Sequence, residues 1–405
     1  MRVADLSRLY LVAGAFGGEL VLMLSLPVLG HRHGPVAVAL LSVAIAAANA
    51  GKLFGCFKID AAITNAPSER VALTHAAAVG AAAIATIVLA TALVIGAALG
   101  VLPAVVSATG STLCVAFLGG AVQQASAMRS LRDERLGVFA IVKSLPSLLL
   151  VVVALSVDVS LLTAYQLAFL ATMMVAAAVH ARRLPAAGSA LAAGVHVLRS
   201  VRPYALYGAP ASALDAANVF FVSVLTITVA GADPVGRATE IQRIALGPSL
   251  AVGMLLTQQL WRERIDQRPH AEALASYRRA AGFAAAGGLA SLATLAALLA
   301  TPLGALLVPD LRNDRIAVFA CLAPLLAQYV GSPLTVYFFK RERVFRYGML
   351  QIGILLLLAA AAVVGGRLPL AGASRPALLV SFAVLTLILT VAMSRSTVAQ
   401  SGGRR

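Results

Sequence analysis

From end to end the chain alternates between apolar runs long enough to cross a bilayer and short polar connections. Few folds tolerate that pattern. A helix needs about 20 mainly apolar residues to cross roughly 30 Å of hydrocarbon, and backbone facing lipid must satisfy its hydrogen bonds internally. Such runs lie at about 9–30, 35–57, 74–100, 102–126, 138–157, 160–181, 204–230, 235–260, 280–308, 315–338, 348–366 and 376–394. They predict an all-α integral membrane protein of about 12 transmembrane helices with both termini on one side. The first run is too long for the core of a cleavable leader and opens a polytopic pattern, so it reads as the first membrane helix. Only 12% of the 405 residues are charged, against about a quarter in soluble domains. No soluble catalytic domain can be assembled from the remainder.

A net charge of +16 raises nucleic acid as a partner. The basic residues, however, stand in short clusters between apolar runs, with no continuous basic face or aromatic platform, so nucleic acid is not expected. Alternate connections explain the charge better. One set holds 24 Lys and Arg, including Arg70, Arg129, Arg132, Arg135, Arg182 and Arg183; the other holds five, Arg32, Arg312, Arg315, Arg367 and Arg375. The positive-inside rule then places both termini in the cytoplasm of a multi-pass inner-membrane protein.

The chain also repeats itself. RDERLGVFA from Arg132 aligns with KRERVFRYG from Lys340, an offset of 208, and each lies between a fourth and a fifth helix of six. A weaker correspondence sets Gly34 against Gly236. The expected organisation is an N-terminal six-helix half at 1–183, a cytoplasmic linker at 184–203 and a C-terminal half at 204–405. Two halves that begin on the same side are parallel repeats about an axis along the membrane normal.

The connections exclude much chemistry. The outward ones are a few residues long, leaving no room for the loops of a glycosyltransferase or polysaccharide polymerase. Gly51-Lys52 lacks the upstream glycine and following Ser/Thr of a phosphate loop. Cys56, Cys114 and Cys321 are too scattered for a metal site or disulfide framework. His31 and His33 flank Arg32 in an outward turn and read as structural. No catalytic constellation, metal or cofactor is expected.

What remains is the set of ionisable groups inside the runs. Each costs around 2.5–3.5 kcal/mol at a helix centre on insertion scales and so is expected to face a cavity or a partner. Glu19 lies in the first run, and Asp215, with Asn218 one turn on, lies in the seventh. Arg237, Glu240 and Arg243 share one face of the eighth, where Glu240 is placed to pair with either arginine. The second ends with Asn49, Lys52 and Lys58, and Lys143 in the fifth reads as a snorkelling residue. Gln123, Gln124 and Gln166 read as interhelical hydrogen-bonding groups. The functional expectation is a charged, hydrated cavity formed by the first, second, seventh and eighth runs. In it Lys52, Arg237 and Arg243 bind an anionic group, while Glu19, Asp215 and Glu240 are the cavity carboxylates.

Three stretches then resemble one family. FGCFKIDAAITNAPSERVALTHAAAV from Phe54 is similar to the segment after the second helix of oligosaccharide flippases of the polysaccharide transporter family. QQASAMRSLRDERLGVFAIVKSLPSLLLVV from Gln123 resembles that family's turn between helices four and five. VRPYALYGAPASAL from Val201, with GADPVGRATEIQRIALGPSLAVGMLLTQQLW from Gly231, resembles its seventh and eighth helices. The resemblance thins beyond about residue 265, and the chain departs from the family where Pro67 stands in the acidic turn and only Glu69 stays acidic.

The resemblance implies a carrier that moves an undecaprenyl-diphosphate-linked sugar unit to the outer leaflet by alternating access. Its implied partners are the lipid-linked oligosaccharide, membrane lipids, and a polysaccharide polymerase or export machinery. Glu19 and Asp215 would then bind a coupling proton or cation. The rival reading is a cation-coupled drug or metabolite exporter of the same superfamily, which also includes the multidrug-and-toxin extruders. A membrane enzyme of polysaccharide polymerisation is disfavoured by the short outward loops.

Overall fold

A computed structural model describes residues 3–56, 59, 63, 70–181, 209–262, 270–308, 315–340, 343–367 and 374–399. The expected linker at 184–203 lies outside the described residues, as does Lys58. The described residues are helical and contain no strand. In chain order the helices are α1 (Val3–His33), α2 (Pro35–Ala50), α3 (Val71–Ala98), α4 (Ala104–Arg132), α5 (Leu136–Ser156), α6 (Leu161–Ala181) and α7 (Ala209–Ala230). There follow α8 (Ala232–Ala245), α9 (Gly247–Arg262), α10 (His270–Ala300), α11 (Pro302–Leu307), α12 (Arg315–Lys340), α13 (Val344–Arg367) and α14 (Ser374–Ala399).

Ten helical segments among the described residues are long and apolar enough to cross a membrane, and α1, at 31 residues, also has the length. The eighth run, expected to be one span over 235–260, is instead two helices. α8 has 14 residues and α9 has 16, and they meet at Leu246 and Gly247, with Pro248 in the first turn of α9. Proline removes the N–H that would have bonded Ile244, so an uninterrupted helix is disfavoured there.

The packing is that of a protein in lipid. Large apolar side chains point outward: Ile87 is 64% exposed, Leu356 66% and Ile388 58%. Small and hydroxylated residues fill the interior. Thr109, Ser130, Ser291 and Ser394 are wholly buried, and three of them bond a carbonyl one turn back, as Ser130 does to Ser126 O at 2.8 Å. Between lipid-soluble helices there is no hydrophobic gain to be had, so close approach and polar contacts hold them together. This is an all-α, multi-pass membrane protein.

The chain divides into two compact units, Met1–Val224 and Leu225–Arg405, with the division inside α7. Each is built the same way. In the first, α4 packs against α2, α3, α5 and α6; in the second, α12 packs against α8, α9, α10, α13 and α14. The repeated turn has a backbone counterpart. Arg135 N donates to Ser130 O at 2.8 Å and Phe139 N to Arg135 O at 3.0 Å. At the offset of 208 seen in the sequence, Arg343 N donates to Phe338 O at 2.7 Å and Tyr347 N to Arg343 O at 3.2 Å. The glycine correspondence needs correction. Gly34, with φ 83°, stands immediately before α2, and its equivalent before α8 is Gly231, with φ 90°, not Gly236, which is buried inside α8. Both glycines occupy the left-handed half of φ space, where a side chain is strained.

Candidate functional site

The first unit presents its charged groups around the end of α2. There α2 widens into a π-helical turn, Gly51–Gly55, which carries Lys52. Such turns are frequent at functional positions. The cause of the geometry is a backbone-to-backbone crossing with α4. A methyl group on Gly51 would lie on the Phe117 carbonyl, and one on Gly120 would lie on the Ala48 carbonyl. A methyl on Gly55 would come within 2.6 Å of Ala121 Cβ, and Cys56 Sγ donates to Ala121 O at 3.4 Å. With the glycine face locked onto α4, Lys52 is turned out of the crossing and is half-buried. Among the described residues its ammonium has no hydrogen-bond or ion-pair partner.

Asp215 and Asn218 lie on the part of α7 that belongs to this unit; Asn218 is buried and Asp215 half-buried. Between them and Lys52 runs one apolar cluster, in which Ala216 packs with Ala50, Ala85 and Phe117, flanked by Leu53 and Phe54. Glu19 lies on α1, but its side chain is outside the described residues. Its neighbours Gly17 and Gly18 face Ser144 and Ser147 of α5 at 3.0 and 3.2 Å from where a Cβ would stand.

Lys143 does not snorkel. Its Nζ donates to Gln124 Oε1 at 2.8 Å, inside the unit. The adjacent Gln123, 2% exposed, sends its Nε2 to Val142 O and Lys143 O, both at 2.9 Å. The reason is Pro146 in α5. A helical proline cannot donate to the carbonyl four residues earlier, and that carbonyl is Val142's. Gln123 supplies the missing donor from a neighbouring helix. Gln166 likewise donates to Thr112 Oγ1 at 2.8 Å, as expected of a bridging amide. Arg32 bonds Leu155 O, and His33 Nε2 meets Ala154 O at 3.1 Å, so this turn is tied to the end of α5.

In the second unit, α8 carries Arg237, Glu240 and Arg243. The ion pair that Arg237 makes is with Asp233, one turn earlier, at 2.8 Å. Among the described residues Glu240 forms no ion pair with either arginine, and Asp233 takes its place beside Arg237. Glu240 is 3% exposed, and Arg243 is half-buried three residues before the α8–α9 break. Gln242, beside it, reaches Tyr329 OH at 3.4 Å. The described grooves lie elsewhere. One of about 670 Å³ is lined by Leu149, Leu170, Met174 and other apolar residues of α5 and α6, and contains none of the charged candidates.

A polar cluster with no warning in the sequence sits at one end of the first unit. Arg129, expected in a connection, falls inside α4 and is 1% exposed. Its Nη1 is 3.3 Å from His75 Nδ1, and the rings of His75 and His180 lie 4.9 Å apart. Three helices, α3, α4 and α6, contribute to it.

No family model matches this chain, and no curated protein matches it. Solved structures do. The fold is shared over 98% of the chain and 99% of the other with a multidrug resistance MATE family transporter of the MOP superfamily in an inward-facing conformation, at 16% identity and a TM-score of 0.60. It is shared over 96% of the chain and 95% of the other with the MATE multidrug transporter DinF-BH, at 13% identity and a TM-score of 0.55. The chain therefore has the fold of a membrane transporter.

Proposed function

We propose that this protein is a flippase that moves an undecaprenyl-diphosphate-linked oligosaccharide to the outer leaflet of the cytoplasmic membrane by alternating access. The observation that carries the reading is Lys52. A lysine in a membrane helix that is half-buried and has no protein partner among the described residues retains its electrostatic need for an anion. A diphosphate meets it, while the lipid tail stays in the bilayer. Arg243 offers a second half-buried cation in the other unit, beside a helix break. Irregular helices at corresponding positions of two repeats point to the substrate path, and here one second helix widens into a π turn at Gly51 while the other breaks at Leu246. Nothing in this reading needs a cofactor or a covalent step; a polysaccharide polymerase or export machinery would take the product.

The test is a deletion strain in which lipid-linked sugar intermediates and surface polymer are measured together. Accumulated intermediates and lost polymer are expected, both restored by the wild type and neither by inserted Lys52→Ala. Full restoration by Lys52→Ala and by Arg243→Ala would remove the anion-binding assignment.

One observation favours a second reading, a cation-coupled exporter of drugs or metabolites: Glu240 is a carboxylate buried to 3% exposure within α8. A carboxylate in that setting suits a proton or a cationic cargo, and the solved structures that share the fold are named as multidrug transporters. Unchanged intermediates with new drug sensitivity in the deletion strain would establish this reading instead.

A further inference from the structure

Neither an anionic nor a cationic cargo calls for the cluster of His75, Arg129 and His180. It closes one end of the first unit. His75 is the fifth residue of α3, Arg129 is three residues from the end of α4, and His180 is the penultimate residue of α6. The charge distribution assigns this end to the cytoplasm. All three side chains are at most 5% exposed.

The hydrogen bonds fix the protonation of His75. An arginine has donors only, so the 3.3 Å contact from Arg129 Nη1 requires a lone pair on His75 Nδ1. The other nitrogen, Nε2, lies 3.3 Å from Ser126 Oγ and carries the single ring proton. A second proton on His75 would set two donors and two positive charges against each other at that distance. His180 admits no second proton either. Its Nε2 is buried with no hydrogen-bond partner, and its ring faces His75 at 4.9 Å. Among the described residues the other charged groups at this end are Asp133, whose Oδ2 is 3.9 Å from Arg129 Nε, then Arg132, the exposed Glu134 and Arg135 beyond it, and Arg70 at the start of α3. Asp133 already faces one buried cation and cannot neutralise two more.

We propose that His75 and His180 form a proton-binding pair that releases the ends of α3 and α6 from α4. Packed, the cluster excludes the proton; parted, both imidazoles meet water and accept it. Acid therefore favours the parted state by mass action, whatever the transported cargo. A hydrated histidine titrates near pH 6.5, so lowering the pH from about 7.5 to about 5.5 shifts the equilibrium about tenfold per histidine, and about 100-fold for the pair.

The experiment is amide hydrogen exchange on the full-length protein in lipid nanodiscs at those two pH values, corrected for the intrinsic pH dependence of exchange. Peptides covering 73–78 and 126–131 should lose protection about 100-fold more than peptides from α14 in the wild type. His75→Gln keeps an acceptor for Arg129 and a donor for Ser126 but cannot titrate, so the response should fall to about tenfold. His75→Gln combined with His180→Gln should abolish it. An unchanged response in the double variant, or none in the wild type, would overturn the proposal. A folded but pH-insensitive His180→Gln single variant would place the whole effect on His180 and overturn the assignment to the pair.

Discussion

Replacing Gln123 with leucine tests the account of how α5 survives its proline. Gln123 donates to Val142 O and Lys143 O, and the first of these carbonyls has no donor four residues on because position 146 is proline. A buried group left unsatisfied costs about 1–3 kcal/mol, while interhelical bonds inside membranes average about 0.6 kcal/mol with a maximum near 1.7. Gln123 Oε1 is itself buried without a partner, a cost that leucine would remove. The net loss for Gln123→Leu should therefore be about 1–2 kcal/mol. In a Pro146→Ala background the helix supplies its own donor, and the same change should cost close to nothing. Unfolding of the four proteins in mixed micelles, arranged as a double-mutant cycle, gives the coupling directly. It should equal most of the single-mutant loss, about a 5–30-fold difference in the unfolding equilibrium. If Gln123→Leu costs the same in both backgrounds, the proline explanation is wrong and the amide is merely one more bridge between helices.

Four further outcomes are expected. Gly51→Ala or Gly120→Ala places a methyl on a backbone carbonyl across the α2–α4 crossing, so each should cost at least the 1–3 kcal/mol typical of overpacking. Gly80→Ala and Gly110→Ala, with nothing within 4 Å, should leave size-exclusion profiles and thermal melts unchanged. Asp233→Asn breaks a pair in which the acid is 43% exposed, and since exposed i,i+4 pairs contribute about 0.3–0.5 kcal/mol, its melting temperature should barely move; a large drop would mean that Arg237 depends on it. Lys143→Met should keep the fold but impair transport if the lysine serves the cargo, whereas loss of folded protein alone would assign it to packing through Gln124.

Hydropathy made the helices legible because a lipid-facing surface must be apolar over a fixed length, and that demand is written locally. The turn at Arg135 was readable as a repeat because its backbone bonds recur at Arg343 with similar residues around them. The break at Leu246 has a local signal too, Gly247-Pro248 within a segment of modest hydropathy, although the apolar length of 235–260 alone suggests one span. Lys143 and Arg129 were harder. Whether a cation snorkels, sits in a loop or is held inside depends on a partner from another helix, here Gln124 and His75. His75 and His180 are 105 positions apart and share no motif, so only the packing of α3 and α6 on α4 brings their rings together. The glycines of the α2–α4 crossing were equally silent, since a glycine in an apolar run does not announce which backbone will approach it.

That crossing has a mechanical consequence. Where Gly51 and Gly120 bring two chains of peptide groups into direct contact, neither an acyl chain nor a water molecule fits between them. α2 and α4 cannot slide or part there without exposing bare amides to hydrocarbon, so this seam travels as one stiff beam. Whatever conformational change the protein undergoes, its bending is confined to the lengths of chain on either side of that weld, and Lys52, fixed one residue beyond it, is carried along at a constant distance from α4.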